Sequence, residues 1–321
     1  MKYKNLRGTG LKVSEFCLGT MTFGGQADEE TSIRIVDHAI DQGVNFIDTA
    51  NIYTGGQSET ILGKALKGKR DNIVLATKVC GGTGRGANES GLGRKHIMKA
   101  VEDSLTRLQT DYIDLYYMHF TDPSTPMEEA LETMTNLVRS GKIRYFGVSN
   151  FSAWQFCSLV HTAKENGLIA PVVTQSVYNM VTRGIDDEMV PFLKEYNKGL
   201  TVFNPLAGGL LTGKHTREKA VEGTRLSEGG YRMRYWKDGN FDAVDRLREI
   251  SEEVGIPMSG VALKWLRSKD YVDSIIGGVS KYEHAVENLS YFDDNYLDSE
   301  IIAECDKIWD ALKGDYFNYH R

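Results

Sequence analysis

The chain has 321 residues, 41% hydrophobic and 26% charged, and its 38 Lys and Arg against 44 Asp and Glu give a net charge of −6. That balance suits a globular protein and argues against general affinity for nucleic acid or an anionic membrane, which need basic surfaces. The first twenty residues lack the apolar core of a secretion signal, and no run is long and apolar enough to span a bilayer, so neither export nor membrane insertion is expected.

The opening segment, KYKNLRGTGLKVS, reads as a small N-terminal β-hairpin turning at Gly8-Thr9-Gly10 and placed to close the bottom of a barrel. Strand-like apolar runs then come near 15–18, 44–48, 73–78, 113–119, 144–149, 172–176, 200–204 and 273–277, with helix-like segments between them. Such alternation means parallel βαβ construction, and eight units of it predict an α/β fold, a closed (β/α)8 TIM barrel. Ile97, Val101, Leu105 and Leu108 line one helix. Thr125-Pro126-Met127-Glu128 reads as a capping box with proline at the first turn, ahead of Met127, Leu131, Met134, Leu137 and Val138 and a stop at Gly141. Ser152 with Gln155 opens another helix, carrying Phe156, Leu159, Val160 and Ala163 as far as Gly167.

Two loops stand out: the Gly-rich stretch from Gly81 to Gly93, and residues 206–240, a long irregular connection rich in Gly, Arg and Lys. Loops of that length in a compact domain are usually functional or disordered. After the last unit, Ile301, Ile302, Cys305, Ile308, Trp309 and Leu312 form an apolar stripe over 298–313, an extra C-terminal helix. No linker or repeat splits the chain, so residues 1–321 are expected to be one domain. Cys17, Cys80, Cys157 and Cys305 are scattered and form no CxxC pair, as packing residues of a reducing cytoplasm would be. The seven histidines show no ligand spacing, and no metal is expected.

Asp48, Tyr53, Lys78 and His119 each sit at or just after a predicted strand end, where the active site of a parallel barrel lies. Together they suit proton delivery to a carbonyl oxygen. Tyr53 is the candidate acid. A free phenol titrates near 10, and an ammonium about 4 Å away favours phenolate by about 4 kcal/mol at an effective dielectric of about 20, before desolvation is subtracted. Lys78 is therefore expected to lower Tyr53, Asp48 to keep Lys78 charged, and His119 to orient the substrate or relay a proton.

With these residues the chain resembles the aldo-keto reductase superfamily over nearly its whole length. The landmarks are Gly19-Thr20-Met21, DTANIY (48–53), the strand ending at Lys78, SLTRLQTDYIDLYYMH (104–119), GKIRYFGVSNF (141–151), NPLAGGLLTGK (204–214) and GGVSKYEHAVEN (277–288). The last two blocks are most similar to bacterial members and to potassium-channel β subunits. The resemblance implies NADPH as cofactor and reversible reduction of aldehydes or ketones, with Asp48, Tyr53, Lys78 and His119 as the catalytic tetrad. It places the nicotinamide carboxamide at Ser149, Asn150 and Gln175 and the nicotinamide ring on Phe203, with Thr20, Met21 and Asp48 also contacting cofactor. It implies a pyrophosphate loop of Asn204, Pro205, Leu206, Ala207 and Gly208, with Lys214 and Arg225 reaching phosphates. Gly278, Ser280, Lys281, His284, Glu287 and Asn288 would bind the adenosine half, although His284 and Gly277 depart from the residues usual there.

The residues agree independently. Phosphates favour glycine turns, helix N-termini and cations, and Gly277-Gly278 before Ser280-Lys281 and a helix at 281–289 provide all three. Gly208 to Lys214 also satisfies GxxxxGK, but His215 follows where a magnesium-binding Ser or Thr is required, so a triphosphate loop is rejected. Phe23, Ile52, Phe120 and Trp154 are candidates for the substrate pocket, with Tyr231, Tyr235 or Trp236 as a lid. Asn51, Thr121 and Arg232 point to a polar carbonyl such as a sugar or hydroxyaldehyde. Two other functions fit the same residues: an NADPH-binding regulatory subunit, or an NADP-dependent dehydrogenase of polyols or sugar alcohols. A small-molecule carbonyl is the expected partner, and the sequence is compatible with a monomer or a homo-oligomer.

Overall fold

A computed structural model of the chain describes residues 1–227 and 229–314. The hairpin pairs β1 (Tyr3–Asn5) with β2 (Lys12–Ser14), and Gly8 at its turn takes a φ of 74°. Eight parallel strands follow: β3 (Phe16–Gly19), β4 (Phe46–Asp48), β5 (Val74–Val79), β6 (Ile113–Met118), β7 (Ile143–Ser149), β8 (Val173–Val177), β9 (Gly199–Phe203) and β10 (Ser274–Gly278). They pair in chain order, and β10 closes the ring onto β3 with Ile275 beside Phe16 and Gly278 beside Gly19. The chain folds as the (β/α)8 barrel that its periodicity predicts.

Helices wrap the outside: α1 (Glu29–Asp41), α2 (Gln57–Ala65), α3 (Arg94–Leu108), α4 (Met127–Arg139), α5 (Ala153–Glu165), α6 (Met189–Glu195), α7 (Gly229–Tyr235), α8 (Asp238–Val254), α9 (Met258–Arg267), α10 (Tyr282–Ser290) and α11 (Ser299–Lys313). The capping box at Ser152 and Gln155 is present. The one expected at Thr125 is not. Pro126 is itself the N-cap of α4, and the Thr125 hydroxyl donates to Asp122 at 2.6 Å, because that carboxylate already organises the preceding turn. The 206–240 connection is less irregular than its composition suggests, with a 3-10 segment over Ala207–Thr212 followed by α7 and the start of α8. The C-terminal helix α11 packs on α8 and buries Cys305 and Ile308. No described helix is long and apolar enough to cross a membrane.

Strand alternation decides what faces the barrel axis. Cys17, Phe46, Val74, Ala76, Leu115, Tyr117, Val173 and Ile276 form one interior cluster, while Leu18, Ile47, Leu75, Tyr116 and Met118 pack outward against helices. Leu6 and Val13 of the hairpin join the interior cluster and are fully buried, so the hairpin corks the floor. Two residues beyond the inward positions of each strand comes the top layer: Gly19, Asp48, Lys78, His119, Ser149, Gln175, Phe203 and Gly278. The barrel thus delivers its polar candidates to one mouth.

Candidate active site

Lys78 is the centre of the mouth and has no exposed surface. An ammonium has three N–H donors. Those of Lys78 meet Asp48 Oδ1, the Thr49 carbonyl at 2.7 Å and the Tyr53 hydroxyl at 3.2 Å. The second carboxylate oxygen of Asp48 accepts from Gln175 Nε2 at 2.9 Å. Burial pushes the Asp48 carboxyl up, against the pull of Lys78 and Gln175. Burial also works against the Lys78 charge, but Asp48 and the Tyr53 oxygen outweigh it, and Lys78 stays above its ordinary range. These contacts favour the charged form of the lysine.

Tyr53 differs from the sequence-based expectation. Burial pushes its phenol up, and this exceeds the opposing effect of Lys78, with Asp48 and Tyr231 adding small upward contributions. Enclosing the phenol takes it out of water, and that desolvation outweighs the attraction of the ammonium. Tyr53 is therefore held protonated, while Lys78 still stabilises the phenolate relative to an unpaired site. His119 is similarly set by its surroundings. Burial first and the Lys78 charge second bring its imidazole down to about 3, so it is neutral at physiological pH. Its ring stacks on Phe120 with centroids 4.2 Å apart and meets Tyr53 edge-on at 6.0 Å. Its Nδ1 is buried without a hydrogen-bond partner among the described residues.

The neighbouring candidates converge on the same rim. Asn150 adopts a φ of 61°, and its Nδ2 donates to the His119 carbonyl at 2.9 Å and to Ser149 Oγ at 3.1 Å. Ser149 in turn donates to the Gln175 carbonyl at 3.0 Å. Phe203 lies partly buried over the interior cluster. Thr20 is fully buried, with its hydroxyl on the Asp48 carbonyl, whereas Met21 beside it is exposed.

After β9 the chain turns sharply, with positive φ at Asn204, Ala207, Gly208 and Gly209. Asn204 Oδ1 accepts the Gly208 N–H at 2.7 Å and its Nδ2 donates to the Tyr235 hydroxyl at 2.6 Å, so its amide shapes the loop. Pro205 is buried and Leu206 half-buried in that turn. Exposed Lys214 has its ammonium lowered, first by atoms packed around it and then by the charge of Lys281. Two cations near enough to repel, beside a glycine turn, suit an anion. Arg225 lies on the same side, its Nη2 3.8 Å from where a Cβ on Gly278 would stand, which places a third cation beside the Gly278 backbone. This cradle fits a phosphate-bearing nucleotide.

Ser280 is half-buried, and Lys281 is the N-cap of α10 rather than its first residue, while His284 lies exposed on that helix. Glu287 accepts from Ser259 at 2.9 Å and Tyr291 at 3.1 Å, and Asn288 is buried.

Several pocket expectations change. Phe23 is fully buried and Tyr235 nearly so, and both serve as packing. Asn51 is also buried, and both polar atoms of its amide lack partners among the described residues. Arg232 rests over Trp236 at 4.0 Å. Phe120 and Trp154 are exposed, and Ile52 packs under Gly81. Tyr231 lies against Gly208, with Arg225 and Arg234 flanking its ring at 5.4 and 5.6 Å.

A family model described as "Aldo/keto reductase family" matches residues 15–310. The chain belongs to that family. A Schizosaccharomyces pombe protein named "Putative voltage-gated potassium channel subunit beta" is 38% identical over 319 residues, covering 95% of this chain and 92% of the relative. A rice (Oryza sativa subsp. japonica) protein named "Probable voltage-gated potassium channel subunit beta" is 36% identical, covering 91% and 92%. "Uncharacterized oxidoreductase YrpG" of Bacillus subtilis is 35% identical, covering 98% of each chain. As an aldo/keto reductase, this chain is an oxidoreductase, and its family acts with nicotinamide cofactors.

Sequence reasoning missed the Thr49 carbonyl on Lys78, which carries no side-chain signal. It also missed buried Glu59, which accepts from Thr77 at 2.6 Å and Arg107 at 2.7 Å beside the Lys78 strand. A carboxylate on the inward face of α2 was its only trace.

Proposed function

We propose that this aldo/keto reductase acts as a single-domain cytoplasmic enzyme that reduces an aldehyde or ketone to the alcohol with NADPH, a sugar or hydroxyaldehyde being the favoured substrate. One observation carries the proposal: the Tyr53 hydroxyl is held 3.2 Å from a Lys78 ammonium whose other two donors are occupied. Tyr53 is the general acid. It gives its proton to the carbonyl oxygen, and Lys78 stabilises the phenolate left behind. Asp48 and the Thr49 carbonyl keep Lys78 charged and fixed. His119, being neutral, orients the carbonyl oxygen by a hydrogen bond and does not compete as an acid.

Ser149, Asn150, Gln175 and Phe203 would hold the nicotinamide end at this mouth, and the Asn204–Gly208 turn with Lys214, Arg225 and Lys281 the phosphates. Bound NADPH supplies the hydride that the carbonyl carbon takes up. The grouping of Lys214, Lys281 and Arg225 beside the glycine turns is the support for a phosphorylated nucleotide, and assays with NADH in parallel measure the preference.

Tyr53→Phe should lower turnover of a model aldehyde by about 100-fold or more while NADPH binding, followed by fluorescence, stays unchanged. Turnover near that of the wild type would remove Tyr53 from the mechanism. The names of the yeast and plant relatives favour a second reading, a cofactor-loaded regulatory subunit. Tight NADPH binding with no turnover of any aldehyde, dicarbonyl or sugar aldehyde would select it. Oxidation of a polyol with NADP+ is the same chemistry reversed, and initial rates in both directions distinguish the two.

A further inference from the structure

The loop that carries Tyr53 has its two ends tied together by hydroxyls with no part in the chemistry above. Ser58, in the first turn of α2, is fully buried. Its Oγ lies 2.9 Å from Thr49 Oγ1 and 2.8 Å from Thr20 Oγ1, and it reaches the Thr20 carbonyl at 2.8 Å. Thr20 Oγ1 donates to the Asp48 carbonyl at 3.0 Å. Each hydroxyl has one proton to give. With the Thr20 proton on Asp48 and the Ser58 proton on Thr20, Thr49 is the donor to Ser58. The relay therefore begins and ends on Asp48-Thr49, the dipeptide that supplies two of the three acceptors of Lys78. Tyr53, the third, lies inside the loop that the Thr49–Ser58 bond closes. A buried, satisfied hydrogen bond contributes little net stability, because it replaces one made to water in the unfolded chain. The distinctive result of this relay is position rather than stability.

We propose that Ser58 is a positioning residue for the Tyr53–Lys78 pair, holding the phenol at hydrogen-bond distance from the ammonium by closing the 49–58 loop. The inference rests on the reading of Tyr53 as proton donor. The groups facing Tyr53 are Lys78 from β5, Asp48 from β4, His119 after β6 and Tyr231 from α7; only Lys78 is a neighbouring cation. Without the Ser58 hydroxyl the loop relaxes, Lys78 couples to the phenol less strongly, and the phenol holds its proton more tightly.

The test compares Ser58→Ala and Thr49→Val in the full chain, alone and combined. Valine keeps the shape of threonine and the backbone carbonyl on Lys78. Two quantities are followed: kcat and KM against pH with NADPH and a small aldehyde, and titration of the Tyr53 phenol. The latter is the absorbance difference between each protein and its Tyr53→Phe counterpart, measured without substrate. The expected result is a kcat about tenfold lower with KM nearly unchanged. The alkaline limb and the phenol titration should both move to higher pH, and the double variant should be no worse than the singles, which cut the same link.

A wild-type limb and titration in both variants would overturn the proposal. If the wild-type protein turns over no carbonyl, the functional reading fails by itself and the phenol titration alone decides Ser58: an upward shift supports it and an unmoved one overturns it. Should Ser58→Ala not fold, Thr49→Val decides by the same criteria.

Discussion

Arg267, at the floor of the barrel, and Lys78, at its mouth, are both buried cations paired with a carboxylate, yet they are finished differently. Arg267 donates to Glu15 through two nitrogens at 3.1 and 3.2 Å, and to the carbonyls of Tyr291 at 2.6 Å and Asp293 at 2.8 Å. Its partners are a carboxylate and backbone carbonyls, none of which can release a proton. Lys78 has the same kind of carboxylate and carbonyl partners plus a phenol. Burial of charge is therefore no mark of function by itself. A proton donor among the partners is what separates the two ends.

The sharpest way to break this contrast is to remove each cation. Lys78→Met should lower turnover by about 1,000-fold or more and, by stranding buried Asp48, destabilise the fold by about 3–5 kcal/mol. Arg267→Met leaves Glu15 with Lys4 at 3.5 Å and should cost a smaller amount, about 1–3 kcal/mol, in denaturant melts, while turnover per folded molecule stays at the wild-type level. Equal loss of turnover in both would erase the distinction between floor and mouth.

Asp273 extends the comparison on the floor side. Burial carries its carboxyl up to about 6, although the Leu200 N–H and Arg7 oppose the shift. The unfolded chain titrates this carboxyl near 4, so the native state binds the proton more tightly. Its contribution to stability is fully present below about pH 4 and is lost as pH rises through about 6. Asp273→Asn should therefore be more stable than wild type at pH 7, by up to about 2–3 kcal/mol, with the gap closing near pH 4 in paired denaturation curves.

The smallest expected effect concerns His119. With its imidazole titrating at about 3, kcat should show no inflection between pH 8 and 5. An acid limb near the ordinary histidine value of about 6.5 would mean that His119 is charged in the working site.

The barrel was legible because its strands are largely buried on both faces and read as short, mostly apolar runs between helical segments. The expected strand 144–149 is β7 at Ile143–Ser149, and 113–119 is β6 at Ile113–Met118. The placement of Asp48, Lys78 and His119 was legible for a related reason: a polar residue at the end of such a run can face only the mouth. The polarity of the phenol was less so. Lys78 and Tyr53 suggested a lowered pKa, but how completely loops enclose Tyr53 is set by folding. Ser58 and Thr49 were invisible because small hydroxyls near a helix start ordinarily read as caps. The 206–240 connection hid α7 behind glycine and arginine, residues that suit a loop as well as a short helix.

The seam where β10 meets β3 has a consequence for synthesis. Phe16 to Gly19 find their second neighbour only in Ile275 to Gly278, more than 250 residues later along the chain. While a ribosome is still making the intervening units, one side of the first barrel strand stays unpaired, with its hydrogen-bonding groups open to any other strand. Nascent molecules of this protein must therefore be kept apart until nearly all of the barrel has emerged.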